Sequence, residues 1–364
     1  MRMATERMLW AGLVAGLIVV AGACSRSAPT GRAKRAPPGG VLLRGAGATF
    51  PAPLYEKWFA AYEQAHPAVA IAYEPVGSGV GVKRFIGKSN ELPPEDLVDF
   101  AASDAAMTDA EIAEVARGVQ LVPITAGAVV LAYHLPGLEG DLKLTRDAYS
   151  GIFLGEITRW NDSRIVKTNP GLMSAGLTIA VVVRHDASGT TYALTNHLSA
   201  ISSAWRDRFG AAQLVDWPGT VVHADGNAGV AGHIKVSLGA IGYVHYGFAQ
   251  RLGLKMALLQ NKAGQFVTPS AESSTAALAA AKLPKNLRLF FPDPDGSDCY
   301  PIVTLSWALL YRVYPDAKMA AALQDLFRWC LGEGQALSAE LGYVRLSSNV
   351  IAAATAAVES VRSP

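Results

Sequence analysis

Four short segments of this 364-residue chain place hydroxyls, backbone amides or charged side chains where an apolar run gives way to a helical pattern. The first is Gly45-Ala46-Gly47-Ala48-Thr49-Phe50-Pro51-Ala52-Pro53, after the apolar Val41–Leu43. Pro51 and Pro53 suit the first turn of a helix, where a missing N–H costs little. The amides and the Thr49 hydroxyl just before it are then free to meet an anion, which a helix N-terminus attracts. The second, Gly77-Ser78-Gly79-Val80-Gly81-Val82-Lys83, follows Ile71–Tyr73. Taken alone, Ser78 fits an ordinary N-cap there better than a ligand contact. The third ends an apolar strand with Ser103-Asp104-Ala105. Asp104 stands where α/β sheets place ligands, and it would equally serve as a turn or helix cap. The fourth is Arg184-His185-Asp186-Ala187-Ser188-Gly189-Thr190-Thr191. Its arginine carries a rigid fork of donors that matches an oxyanion, and Asp186 is placed to hold it. A surface ion pair beside a helix cap is the plainer reading of the same residues. Each motif alone is weak, and the first lacks the Lys-Ser/Thr ending of a nucleotide P-loop. Together they make one set: neutral donors, one arginine and one carboxylate able to surround a tetrahedral oxyanion.

The elements that must position these residues alternate. Short apolar runs (Ile71–Tyr73, Val98–Ala102, Gly127–Tyr133, Ile179–Val183) are separated by periodic segments such as Leu54-Trp58-Tyr62 and Ile112-Val115. This predicts an α/β architecture with largely parallel sheets. Thr304–Arg312 reads as a strand, and the spacing of Leu323, Leu326, Phe327 and Cys330 predicts a helix over 319–331. Two segments read as crossovers between domains: the Pro-, Asp- and Gly-rich loop Phe291–Ser297 and the stretch Leu121–Thr125. The chain is long enough for two domains. Its formal net charge of +2, with 17% charged residues, carries no broad electrostatic footprint for nucleic acid.

The N-terminus reads as an address. Arg2 and Arg7 precede an uncharged run, Met8–Ala23, too short for a membrane span and suited to a signal peptide. Ala21-Gly22-Ala23-Cys24 resembles a lipobox in which Cys24 is acylated, with Ala21 in place of the usual leucine; an A-x-A cleavage site fits the same residues. Residues 24–40 lack large apolar groups and read as a tether reaching roughly 20–25 Å as a flexible coil. Arg26, Arg32, Lys34 and Arg35 within it suit anionic lipid or plain solvation. Cys299 and Cys330 remain as a pair able to form a disulfide in an oxidising compartment or to pack as two buried thiols.

From about residue 41 to the C-terminus, the stretches GAGATFPAPLYEKW, VGSGVGVK, VDFAASDA, RHDASGTTY, NAGVAG and LGAIGYVHYGFA resemble, in order and spacing, the high-affinity phosphate-binding proteins of Pst ABC transport systems. The resemblance implies a type II periplasmic-binding-protein fold, two α/β lobes joined by two crossovers with phosphate between them. It implies phosphate contacts at Thr49, Phe50 through its backbone, Ser78, Asp104, Arg184, Ser188, Gly189 and Thr190. The implied arrangement is a signal peptide (1–23), a tether (24–40), lobe I (41–123 and 302–364) and lobe II (124–298). Implied partners are inorganic phosphate, the permease and ATPase subunits of an importer, and a membrane through the lipid; no cofactor, metal or nucleic acid is implied. The chain departs from the family pattern at Gly79, where a second serine is common, at Ala101 and Ala187, where glycine is common, and at Ala228, where aspartate is usual after the asparagine.

An acceptor-only carboxylate at Asp104 can take a hydrogen bond from a P–OH group and meets sulfate with no proton between. A secreted hydrolase using Ser188 as nucleophile and His185 as base is the rival reading. It lacks the glycine two residues before the serine of a nucleophile elbow, and no separate acid is placed to orient His185. No His/Asp cluster has metal-ligand spacing.

Overall fold

A run of 15 residues without a charged side chain, Val119–Tyr133, forms the strand on which the fold is assembled. The computed structural model describes residues 34–87, 92–173, 176–279 and 283–364. The expected signal peptide, Cys24 and the first part of the tether lie outside the described residues. In chain order the strands are β1 (Val41–Gly47), β2 (Val69–Glu74), β3 (Phe100–Ser103), β4 (Val119–Tyr133), β5 (Lys143–Leu144) and β6 (Ala180–Arg184). They continue with β7 (Val221–Ala224), β8 (Ala240–His245), β9 (Lys255–Met256), β10 (Leu258–Gln260), β11 (Phe266–Val267) and β12 (Val303–Tyr311).

The main sheet runs β2-β1-β3-β12-β4-β8-β6-β7, with β9 also on β4. The N-terminal part of β4, Val119–Ala128, pairs with β12, and Val129–Tyr133 pairs with β8. One strand therefore belongs to both halves of the sheet. A small second sheet orders β11-β10-β5.

The expectation of largely parallel sheets needs correction. The β1–β2, β1–β3, β6–β7 and β6–β8 pairings are parallel, as alternating strands and helices require. Each long strand at the centre runs against its neighbours: β12 against β3 and β4, and β4 against β8 and β9. The expected crossover Leu121–Thr125 is part of this central ladder, because its apolar residues bury on both faces. The register slips by one residue between Ser306 and Trp307, opposite Thr125 and Pro123. A bulge is where a proline, lacking its N–H, can enter a central strand.

Helices cover the sheet through the spacing read from the sequence. Ala52–Ala65 buries Leu54, Tyr55, Trp58, Phe59 and Tyr62, and Ala317–Leu331 buries Leu323, Leu326, Phe327 and Cys330. Within the expected tether, residues 34–40 are attached to the fold. Lys34 Nζ donates to Glu63 Oε1 and to the Ile71 carbonyl, both at 2.7 Å, and Lys318 Nζ donates to the Gly39 carbonyl.

The disulfide considered between Cys299 and Cys330 is not formed; both cysteines are free and buried. Cys299 Sγ donates to the Asp295 carbonyl at 3.0 Å, and Cys330 packs into the core from its helix. Burial raises the pKa of both thiols, well above the usual range for Cys330, so neither is held as a reactive thiolate. Alkylation without reductant should therefore leave Cys299 and Cys330 unlabelled in the folded protein. Both should label in denaturant, as read by peptide mass; a cross-linked peptide pair would contradict this.

Candidate functional site

Three of the four sequence motifs lie at helix starts, a fourth helix start joins them, and the Asp104 motif follows the end of β3 beside them. Helix 52–65 begins after Thr49, helix 78–86 at Ser78, helix 189–201 after Ser188, and helix 226–236 one residue before Asn227. Their dipoles and first-turn amides favour negative charge at the point where they meet. Thr49, Ser78, Asp104, Arg184, Ser188 and Thr190 are all buried.

Local chemistry explains each placement. Gly77, at φ +96°, is the N-cap of helix 78–86, so Ser78 is its first helical residue rather than the cap. A Cβ on Gly77 would strike the Asp186 carboxylate. Freed from capping, Ser78 Oγ accepts from the amides of Asp104 at 3.3 Å and Gly189 at 3.1 Å. Asp104 caps no helix either: Thr108 does so, in a capping box with Glu111. Ser188 is the true N-cap of its helix, accepting from Thr190 N at 3.1 Å and Thr191 N at 3.2 Å. The carbonyl of Phe50 accepts from Tyr343 Oη at 2.5 Å, which holds the backbone beside Thr49.

Arg184 is only 3% exposed, so the plain reading of a surface ion pair fails. Its Nε donates to Asp186 Oδ1 at 2.6 Å, and Nη2 donates to Asp186 Oδ2. Burial alone would raise the Asp186 pKa; the hydrogen bonds and charge of Arg184, with the Gly226 amide, bring it below the usual value. The ion pair is thus internally neutral, and three of the five guanidinium N–H groups are not used in these bonds to Asp186.

Asp104 has the opposite environment. It is 1% exposed, and burial pushes its pKa up to about 7, against the lowering effects of the Ser306 hydrogen bond and the Arg184 charge. Ser306 Oγ donates to Asp104 Oδ1 at 2.7 Å. Sequence reading missed Ser306. The available signal was a serine within a mostly apolar strand, two residues after Thr304; the register slip beside it is visible only in the pairing.

Asn227 was also missed as a site residue. It joins motifs one and four through Thr49 Oγ1 and Thr190 Oγ1. Ala228, the departure next to it, leaves those bonds in place. Two other departures prove to be one. A Cβ on Gly79 would lie 2.5 Å from Ala187 Cβ, and Gly79 N donates to the Ala187 carbonyl at 3.0 Å. The methyl of Ala187 occupies the space that a side chain at position 79 would need. A Cβ on Gly189 would lie 2.6 Å from Asp104 Cβ, so motif four closes directly on motif three.

The arrangement does not support Ser–His chemistry. His185 is exposed and its Nδ1 lies 3.3 Å from Asp225 Oδ1, while Ser188 Oγ serves the amides of its own helix. Among the described residues no cluster of His, Cys, Asp and Glu could hold a metal ion.

The family model of the PBP superfamily domain matches residues 26–333. A phosphate-binding protein PstS of Pasteurella multocida is 38% identical over 314 residues, covering 85% of this chain and 87% of that protein. One of Methanocaldococcus jannaschii is 34% identical over 377 aligned positions, covering 96% and 94%. Among solved structures, a high-affinity periplasmic phosphate-binding protein (PfluDING) bound with phosphate superposes with a TM-score of 0.69 at 24% identity, over 87% of this chain and 93% of that one. A phosphate-binding protein from Stenotrophomonas maltophilia does so at 0.68 and 20%, over the same shares. These likenesses establish the fold as the type II periplasmic-binding-protein fold, and the chain belongs to the PBP superfamily and, within it, to the PstS family of phosphate-binding proteins.

Proposed function

We propose that this protein binds inorganic phosphate outside the cytoplasm and delivers it to the permease and ATPase subunits of an ABC importer. The observation that carries the reading is a buried, pre-assembled donor set with a single neutralised arginine and one protonatable carboxylate. Thr49, the Phe50 backbone, Ser78, Arg184, Ser188, Gly189 and Thr190 supply donors, and Asp104 reads the ligand's proton. Residues 41–123 with 302–364 form one lobe and 124–298 the other, meeting at this site. The signal-peptide pattern supports export. Acylation of Cys24 rests on the lipobox-like residues alone; the mass of the mature N-terminal peptide distinguishes an acylated Cys24 from plain cleavage.

Selectivity follows from counting protons. Phosphate near neutral pH brings one, and the carboxylate of Asp104 shares it. Sulfate brings none, so Asp104 must first take a proton from water. With the Asp104 pKa raised to about 7, that step is easy below pH 7. Above it, sulfate binding should weaken by about tenfold per pH unit, the value of 1.36 kcal/mol per unit. Titration calorimetry with phosphate, arsenate and sulfate from pH 5 to 9 tests both ligand and mechanism. The ratio of sulfate to phosphate dissociation constants should rise with pH in the parent and lose that rise in Asp104→Asn, whose amide can face a sulfate oxygen at any pH. Arg184→Ala should weaken every oxyanion. No binding of phosphate by the parent would sink the function; a ratio unchanged in Asp104→Asn would sink the proton-reading role.

The packing at Gly79 and Ala187 gives an independent check. Gly79→Ser should weaken phosphate binding by about tenfold or more, because overpacking costs roughly 1–3 kcal/mol in the closed arrangement. Adding Ala187→Gly should recover most of the loss. A double variant as weak as Gly79→Ser alone would show that the two positions do not share that space.

A further inference from the structure

Asn227 holds the two threonine hydroxyls of the site from behind. Its side chain is fully buried. Its Oδ1 accepts from His245 N at 2.8 Å. A backbone N–H can only donate, so this bond settles which end of the amide is oxygen, and Nδ2 must face the other way. From there Nδ2 donates to Thr49 Oγ1 at 3.0 Å and to Thr190 Oγ1 at 3.3 Å, while Asn227 N donates to Thr49 Oγ1 at 3.1 Å. A hydroxyl has two acceptor lone pairs and one donor hydrogen. Both lone pairs of Thr49 Oγ1 are thereby occupied by Asn227, and one of those of Thr190 Oγ1. What each threonine has left to offer is its hydrogen. The same rule holds across the site by other means, since Ser78 and Ser188 Oγ each accept from two backbone amides. The threonines differ in depending on a side chain.

Resting on the phosphate reading above, we infer that Asn227 is a positioning residue that sets the polarity of the Thr49 and Thr190 hydroxyls, keeping both as donors toward the oxyanion. It touches the ligand only through them. The Asn227–Thr49 bonds join residues of the two proposed lobes, so Thr49 acquires its donor orientation as the lobes close. The near-isosteric Asn227→Asp exchanges the donor Nδ2 for an acceptor oxygen. Both threonines would then turn their hydrogens toward the new carboxylate and away from the ligand.

The test uses titration calorimetry with inorganic phosphate, with thermal melting to verify that each variant is folded. The parent comes first: if it binds no phosphate, the functional reading itself has failed. Given binding, Asn227→Asp should weaken phosphate at least about 100-fold at pH 8. Relative to the parent it should recover as the pH falls and the introduced acid protonates, because its O–H can donate to a threonine as the amide did. Asn227→Ala should weaken phosphate about tenfold in the parent and less than about threefold when Thr49→Val and Thr190→Val are already present. A loss from Asn227→Ala that persists undiminished without the two hydroxyls, or an Asn227→Asp variant with the parent's pH profile, would show that Asn227 only supports its loop and would overturn the inference.

Discussion

An oxyanion held away from water has to find its hydrogen bonds already pointing at it, and in the site proposed for this protein that constraint would be met mainly by neutral donors. The charges around the site nearly cancel. Arg184 is paired with Asp186, and burial pushes the Asp104 pKa up to about 7. The remaining polarity comes from helix N-termini and hydroxyls whose oxygens already accept from amides. With these bonds made the hydroxyl hydrogens are already directed, and each such donor is worth more in a buried site than in water. A site built from excess positive charge would attract sulfate as readily as phosphate. In the proposed site, spreading the neutralisation over dipoles would leave a single carboxylate to discriminate.

The fold supplies that geometry through its central strand. Because β4 pairs with β12 over its first part and with β8 over its second, the two halves of the sheet share one rigid element. The parallel strands on each side then turn into helices whose starts meet. β12 contributes directly: Ser306 stands at its register slip and donates to Asp104. The aromatic cluster of Phe50, His245 and Tyr343 packs behind the same point, with Phe50 and His245 ring centroids 4.3 Å apart and His245 and Tyr343 4.1 Å apart. Burial pushes the His245 pKa down to about 3, so this ring stays neutral and brings no cation near the site.

Close packing across the site also explains why small residues recur there. Gly77, Gly79 and Gly189 each face a residue of another motif at a distance that leaves no room for a side chain. The methyl of Ala187 fills the space beside Gly79, so the two positions draw on one volume.

Much of this was legible in the amino-acid sequence. Alternating apolar runs and helical spacings located β1, β3, β6, β12 and the helices 52–65 and 317–331, because side-chain periodicity is a local property. The four strand-to-helix turns, and the residue types suited to an oxyanion, were legible for the same reason. Other features depended on partners distant in sequence. The antiparallel central ladder was set by which strands became neighbours. Whether Ser78 and Asp104 capped helices was instead a local matter, decided by Gly77 and Thr108. The separation of Cys299 and Cys330 as buried thiols followed from the packing of helix 317–331 and the turn at Asp295. Ser306 and Asn227 gained their meaning only from contacts across the fold: 202 positions separate Ser306 from Asp104, and 178 separate Asn227 from Thr49. Chemistry carried by one turn can be read from residue types, but the direction of a hydroxyl proton and the pKa of a buried acid are decided by the groups that tertiary structure brings against them.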